Sequence, residues 1–181
     1  MKTTPHTLIA CAALLLSGAT HAHVVLQDPA AAAGAGYRAT FQVGHGCDGA
    51  ATTAITVRIP DGFAGAKPMP KPGWTLSTRR AALATPYVSH GKTITEDVVE
   101  VRWAANGPDN ALPDAWYDEF VLRGTTPAQA GLLWFQVRQS CTTGELDWAQ
   151  IPASGSSTKG LKAPAALLEV IDTGNGGGHQ H

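Results

Sequence analysis

Ala54-Ile55-Thr56-Val57-Arg58-Ile59, closed at once by Pro60-Asp61-Gly62, is the stretch that decides the architecture of this chain. Ile55, Val57 and Ile59 alternate with Ala54, Thr56 and Arg58, the period of a strand buried on one side. The Pro-Asp-Gly that follows supplies a fixed φ, a local side-chain acceptor and a residue free to take φ > 0, which together end the strand in a turn. Working outward, the same pattern recurs. Tyr37 to Val43 places Tyr, Ala, Phe and Val on one face, and Val24-Val25-Leu26 is ended by Asp28-Pro29. On the C-terminal side Lys67 to Gly73, with Pro68, Pro70 and Pro72, reads as an extended connection into a strand over Trp74 to Thr78. Val98 to Trp103 alternates cleanly until Asn106-Gly107-Pro108-Asp109, and Trp116 to Leu122, Gly131 to Ser140, Leu146 to Ile151 and Ala166 to Ile171 complete the set. No stretch after residue 22 sustains a 3.6-residue apolar period, and only Thr126 to Ala130 has the composition of a single helical turn. Short strands separated by turns about every eight to fifteen residues define an all-β chain, a β-sandwich of immunoglobulin-like topology. Trp74, Trp103, Trp116 and Trp134 are expected to fill its core, and His90, before Gly91-Lys92, to sit in a loop.

The ends read differently. Lys2, the apolar run Leu8 to Leu16 and the small residues Thr20 and Ala22 spell a secretory signal peptide over residues 1–22, cut after Ala22. A cut after Ala19, or a lipid on Cys11, is the competing reading of this start. The sandwich then occupies residues 23–173, and Gly174 to His181 (GNGGGHQH) is a flexible Gly/His tail. No later stretch approaches the ~18 apolar residues of a membrane span, so an exported, periplasmic or secreted protein with no membrane span after signal removal is expected. With 13 basic and 14 acidic side chains and no charge run, the composition argues against nucleic acid and anionic membrane as partners. Cys47 and Cys141 remain after the signal leaves. In an oxidising compartment an even pair favours a disulfide, with a thiolate copper site as the rival.

Three stretches carry chemistry. His23, once exposed as the first residue, offers its α-amine and a ring nitrogen to one ion, two donors in a plane that suits tetragonal Cu(II). Val43-Gly44-His45-Gly46-Cys47-Asp48-Gly49 leaves a strand into a glycine-rich turn, where His45 is either a ligand or an exposed loop histidine, and Asp48 either an oxygen ligand or a turn cap. Ser140-Cys141-Thr142-Thr143-Gly144-Glu145-Leu146-Asp147-Trp148 has the form of a hairpin. With a four-residue loop Cys141 lies opposite Leu146, and Trp148 shares that face. A Cys47–Cys141 bridge would then draw the His45 turn and Trp148 to one end of the sandwich. Composition alone favours core packing for Trp148, and Glu145 and Asp147 read as solvated turn residues rather than ligands. No Ser-His-Asp or Cys-His arrangement and no G-x-S-x-G elbow is present, and Gly34-Ala35-Gly36 lacks the lysine of a phosphate loop. His179 and His181 are either a weak copper-capture tail or an inert terminus.

The start His23-Val24, the run Thr52 to Pro60, Pro72-Gly73-Trp74, Leu112-Pro113 and Asp147-Trp148, in this order, resemble the YcnI-like copper-binding domain over nearly the whole chain after residue 22. The resemblance implies an immunoglobulin- or cupredoxin-like sandwich that binds Cu2+ through the amine and imidazole of His23, with Trp148 close to the metal. Other members carry a glutamate just after the strand that ends here at Val43. This chain has His45, Cys47 and Asp48 instead, so His45 is expected to complete a two-histidine brace, with Asp48 in reserve. The function expected is copper sequestration or delivery by a metallochaperone, without catalysis, serving periplasmic or membrane copper-handling partners. The alternatives are a copper-dependent oxidase or monooxygenase of the histidine-brace type and a metal-free binding module.

Overall fold

Alternation of inward and outward side chains carries the chain into eleven strands among residues 23–174, the part described by the computed structural model. In order they are β1 (Val25–Leu26), β2 (Ala30–Ala32), β3 (Gly36–Val43), β4 (Thr52–Arg58), β5 (Ala64–Pro68), β6 (Trp74–Ser89), β7 (Lys92–Ala105), β8 (Asp118–Thr125), β9 (Gly131–Cys141), β10 (Glu145–Trp148) and β11 (Ala166–Ile171). A four-stranded sheet has the order β1-β3-β8-β5, and a seven-stranded sheet runs β2-β11-β9-β4-β7-β6 with β10 beside β9. The all-β sandwich expected from the alternation is the fold observed. Strand β9 is its spine: one edge pairs with β4, and the other pairs first with β11 and then with β10.

The core lies between the sheets and is aromatic. Phe41 of the smaller sheet meets Phe135 of the larger at 5.4 Å, and Phe120 of the smaller meets Trp74 and Trp103 of the larger at 5.0 and 5.7 Å. All three contacts are edge-on, the arrangement ring quadrupoles favour. The buried Trp103 indole donates to the Met69 carbonyl at 2.9 Å, and Met69 N–H donates to Val121 O at 2.8 Å. These bonds tie a proline-rich strap to the sheet. The part of that strap up to Pro68 is not a plain connection but strand β5. It lies at a sheet edge, where a proline removes only a donor that would face away from the ladder.

Other expectations are corrected. Strand β6 does not stop at Thr78 but continues to Ser89, returning as β7 through His90-Gly91, both with positive φ (48° and 73°). Beyond Thr78 most side chains are exposed, so cross-strand pairing rather than one-sided burial makes this hairpin. Residues 126–130 form no helical turn; the buried Thr126 hydroxyl instead donates to Ala32 O at 2.7 Å and accepts from Ala35 N–H at 3.0 Å. Trp116 lies outside the core, 65% exposed, in a turn that ends before β8 begins.

One carboxylate ties the long hairpin to the sandwich. Asp97 on β7, only 8% exposed, accepts from Gly65 N–H at 2.9 Å and from the Tyr87 hydroxyl at 2.7 Å. Burial pushes its pKa up, but the bonds from Tyr87, Val98 N–H and Gly65 N–H, with the charge of Arg80, outweigh this and hold it below its ordinary value of 3.8. A carboxyl held low contributes stability that is present above the unfolded-state pKa and lost as pH falls through the folded one. Asp97→Ala should therefore cost about 1–3 kcal/mol near neutral pH. In urea melts the gap from wild type should close as pH drops below about 4.

Candidate metal centre

The chain leaves β3 at Val43 and tightens into a turn whose geometry the residues dictate. Cys47 and Ala50 exchange backbone hydrogen bonds of 3.0 and 2.9 Å around Asp48-Gly49, whose φ values of 48° and 86° match the Asp-Gly turn with two left-handed residues. Gly46 has no room for a side chain, since a Cβ would stand 1.9 Å from Ala50 O, and its N–H donates to Asp114 Oδ1 at 2.8 Å. Cys47 is joined to Cys141 in a disulfide, Cα–Cα 6.0 Å, which pins the turn to the end of β9. The disulfide reading of the two cysteines holds, and with it the thiolate copper site falls away.

The hairpin from β9 to β10 is tighter than expected. Cys141 N–H bonds to Gly144 O, and Leu146 lies opposite Gln139 and Trp148 opposite Val137. The register is thus two residues from the expected one. A slip of two keeps every side chain on its face, so Trp148 still shares a face with Cys141. Facing the core there, Trp148 donates its indole N–H to Gln139 Oε1 at 3.0 Å. The Gln139 Nε2 donates to His45 O at 2.7 Å and to Thr52 Oγ1 at 2.8 Å. Both of its amide protons and its carbonyl are engaged inside the protein.

Two imidazoles gather on this indole. The His23 ring lies 5.6 Å from Trp148 and the His45 ring 6.0 Å, centroid to centroid, both edge-on. His45 Nδ1 donates to the carbonyl of Gly46, which can only accept. In the neutral ring this leaves the lone pair on Nε2, the way an outer hydrogen bond fixes the tautomer of a metal-binding histidine. His45, Asp48, Asp114, Leu146, Trp148 and Lys162 border a hollow of about 360 Å³. His23 borders a neighbouring one, with Leu26 and Pro164. Among the described residues no three of His, Cys, Asp and Glu side chains close on a common point. A brace would ask for less, two imidazoles and an amine that His23 gains only as a first residue, and imidazole nitrogens are donors Cu(II) favours. Residues 1–22, His179 and His181 lie outside the described residues. Glu145 and Asp147 are exposed on the outer face, Asp147 opposite Arg138.

Residues 23–170 match the family described as a domain of unknown function, DUF1775. The chain belongs to this family. It is the family to which the YcnI-like name applies, so the resemblance holds at the level of membership. The DUF1775 domain is also similar to a crystal structure of an uncharacterized protein from Nocardia farcinica, described as revealing an immunoglobulin-like fold. The two share 27% identity at a TM-score of 0.62, covering 82% of this chain and 97% of that one. No curated protein is similar in sequence.

Sequence reasoning passed over two residues of this end of the DUF1775 domain, Gln139 and Asp114. Gln139 carried a readable signal. It is the one carboxamide in an inward series, Leu133, Phe135, Val137, Gln139, Cys141. Asp114, beside Pro113, carried none. Gln139→Leu keeps the bulk but strands the Trp148 N–H and the His45 carbonyl, a cost of at least about 2 kcal/mol. Chemical denaturation should show that loss, and the Trp148 emission should shift as its hydrogen bond is broken. A glutamine variant that leaves both unchanged would show that the amide does not hold this end together.

Proposed function

We propose that this DUF1775 protein is an exported Cu(II)-binding protein that sequesters copper or passes it to a partner, without catalysing a reaction. The observation that carries the reading is the convergence of His23 and His45 on one indole, with the His45 tautomer set by the Gly46 carbonyl. His23 would supply amine and imidazole once a peptidase frees it, and His45 the third nitrogen through Nε2. Asp48, on the rim of the same hollow as His45, is the reserve oxygen donor. Trp148, fixed by Gln139, would keep water off one side of the ion. Nitrogen donors must lose protons to bind, so uptake should weaken as pH falls.

One observation favours a second reading, an oxidative enzyme of the histidine-brace type. Trp116 and Tyr117 are 65% and 56% exposed, and their loop is joined to the His45 turn through the Asp114–Gly46 bond. Such an aromatic pair is the kind of surface a polymeric substrate would stack on. Peroxide formation by the copper-loaded protein with a reductant would support that reading over transport.

Electron paramagnetic resonance of the Cu(II) form tests the main reading. A chain beginning at His23 should show three nitrogen donors, and His45→Ala one fewer. One residue added before His23 should abolish tight binding, and Cu(II) should quench Trp148 emission. Unchanged affinity in the extended chain would refute the brace.

A further inference from the structure

The outer face of the four-stranded sheet holds a feature unrelated to the histidines. Register places Arg38 of β3 directly opposite Arg123 of β8, and Arg123 directly opposite Lys67 of β5. Directly opposed residues of antiparallel strands point to the same side, and all three are exposed. Neighbouring strands lie about 4.8 Å apart, so three positive charges form a row roughly 10 Å long. Like charges set opposite one another are destabilising. Among the described residues, no side-chain hydrogen bond or ion pair involves any of the three.

Among the described residues three other cations are neutralised in ion pairs, while Arg58, Lys92, Arg102, Arg138, Lys159 and Lys162 are not. Lys71 bonds Asp118 at 2.6 Å and lies over the Phe120 ring, and Arg79 and Arg80 pair with Glu100, Glu96 and Asp97. The row also adjoins a hollow of about 560 Å³ lined by Gly36, Val121 and the strap Pro68-Met69-Pro70. Met69 is 49% exposed there, and at Gly36 a Cβ would meet nothing within 4 Å. A cavity of that size is in the ordinary range for small-molecule sites, which combine an apolar lining with a few placed polar groups.

We infer that this face is a binding site for a small amphiphilic anion: a carboxylate, phosphate or sulfate head on Arg38, Arg123 and Lys67, and an apolar body against Met69, Val121 and the prolines. Guanidinium groups present forked donors suited to oxyanions, and a ligand charge would relieve the repulsion along the row. The site is separate from the histidines and stands whether or not copper binds.

Calorimetric titration of the metal-free protein with decyl phosphate, below its micelle threshold, tests this. Decyl phosphate should bind one to one, at least about tenfold more tightly than inorganic phosphate, and more weakly as salt is raised. Arg123→Gln should weaken it by about tenfold or more while leaving the thermal midpoint unchanged or higher, since removing the central charge relieves the row. Arg38→Gln should act in the same direction, and Met69→Ser should weaken decyl phosphate but not inorganic phosphate. Equal affinity for the two phosphates would overturn the hollow's part in the site. Binding to phosphatidylglycerol vesicles without binding of the monomer, or a lowered midpoint in both arginine variants, would overturn the proposal as a whole.

Discussion

The carboxamide of Gln139 is the constraint on which the histidine-bearing end depends. Inside a core a polar group must be satisfied by protein atoms, and this one is satisfied by three different parts of the chain: β10 through Trp148, β4 through Thr52, and the turn after β3 through His45. In a low-dielectric interior such bonds are strong when complete and costly when one is missing. The turn can therefore hold few other positions. The disulfide two residues along β9 adds a covalent limit on the same turn. Together they hold the His45 backbone while its ring remains at the edge of a hollow, a rigid support with a reactive group on its rim.

Much of the sandwich was legible because burial on one side writes a period of two into sequence. Strands β3, β4, β8, β9 and β11 each show it, and each was placed within a few residues. Where burial does not write the pattern, the reading fails. The outer half of the β6–β7 hairpin is mostly exposed and its buried group is the carboxylate of Asp97, so its ladder bonds leave little hydrophobic trace. Strand β5 is short, proline-ended and at an edge, where the usual prohibition on proline does not apply. Trp116 shows the opposite error: a large apolar side chain was assigned to the core on its chemistry, though it precedes the strand and faces solvent.

The grouping of the His45 turn with Trp148 was legible for a different reason. A disulfide between Cys47 and Cys141 brings together residues far apart in sequence, and the glycine-rich turn and the hairpin could be grouped on that ground alone. The hairpin loop was misjudged by two residues without consequence, because strand faces repeat every two. An error of one would have turned Trp148 outward and dissolved the grouping. Gln139 was missed because a carboxamide is neither a metal donor type nor an apolar core residue, though an amide among apolar inward residues is as informative as a histidine.

The two outer faces differ in a way that net charge conceals. With 13 basic and 14 acidic side chains the chain is nearly neutral, and no segment of it is basic. Yet pairing lines up Arg38, Arg123 and Lys67 from three separate strands. On the larger sheet the same process sets Arg58 opposite Glu100 and Arg138 opposite Asp147. Stability accounts for the second face, since opposed opposite charges favour the pairing. It cannot account for the first, where a neutral residue at position 123 would serve the sheet better. The absence of a charge run describes the chain as a string and says nothing of the chain as a sheet, because cross-strand register is a property of the fold.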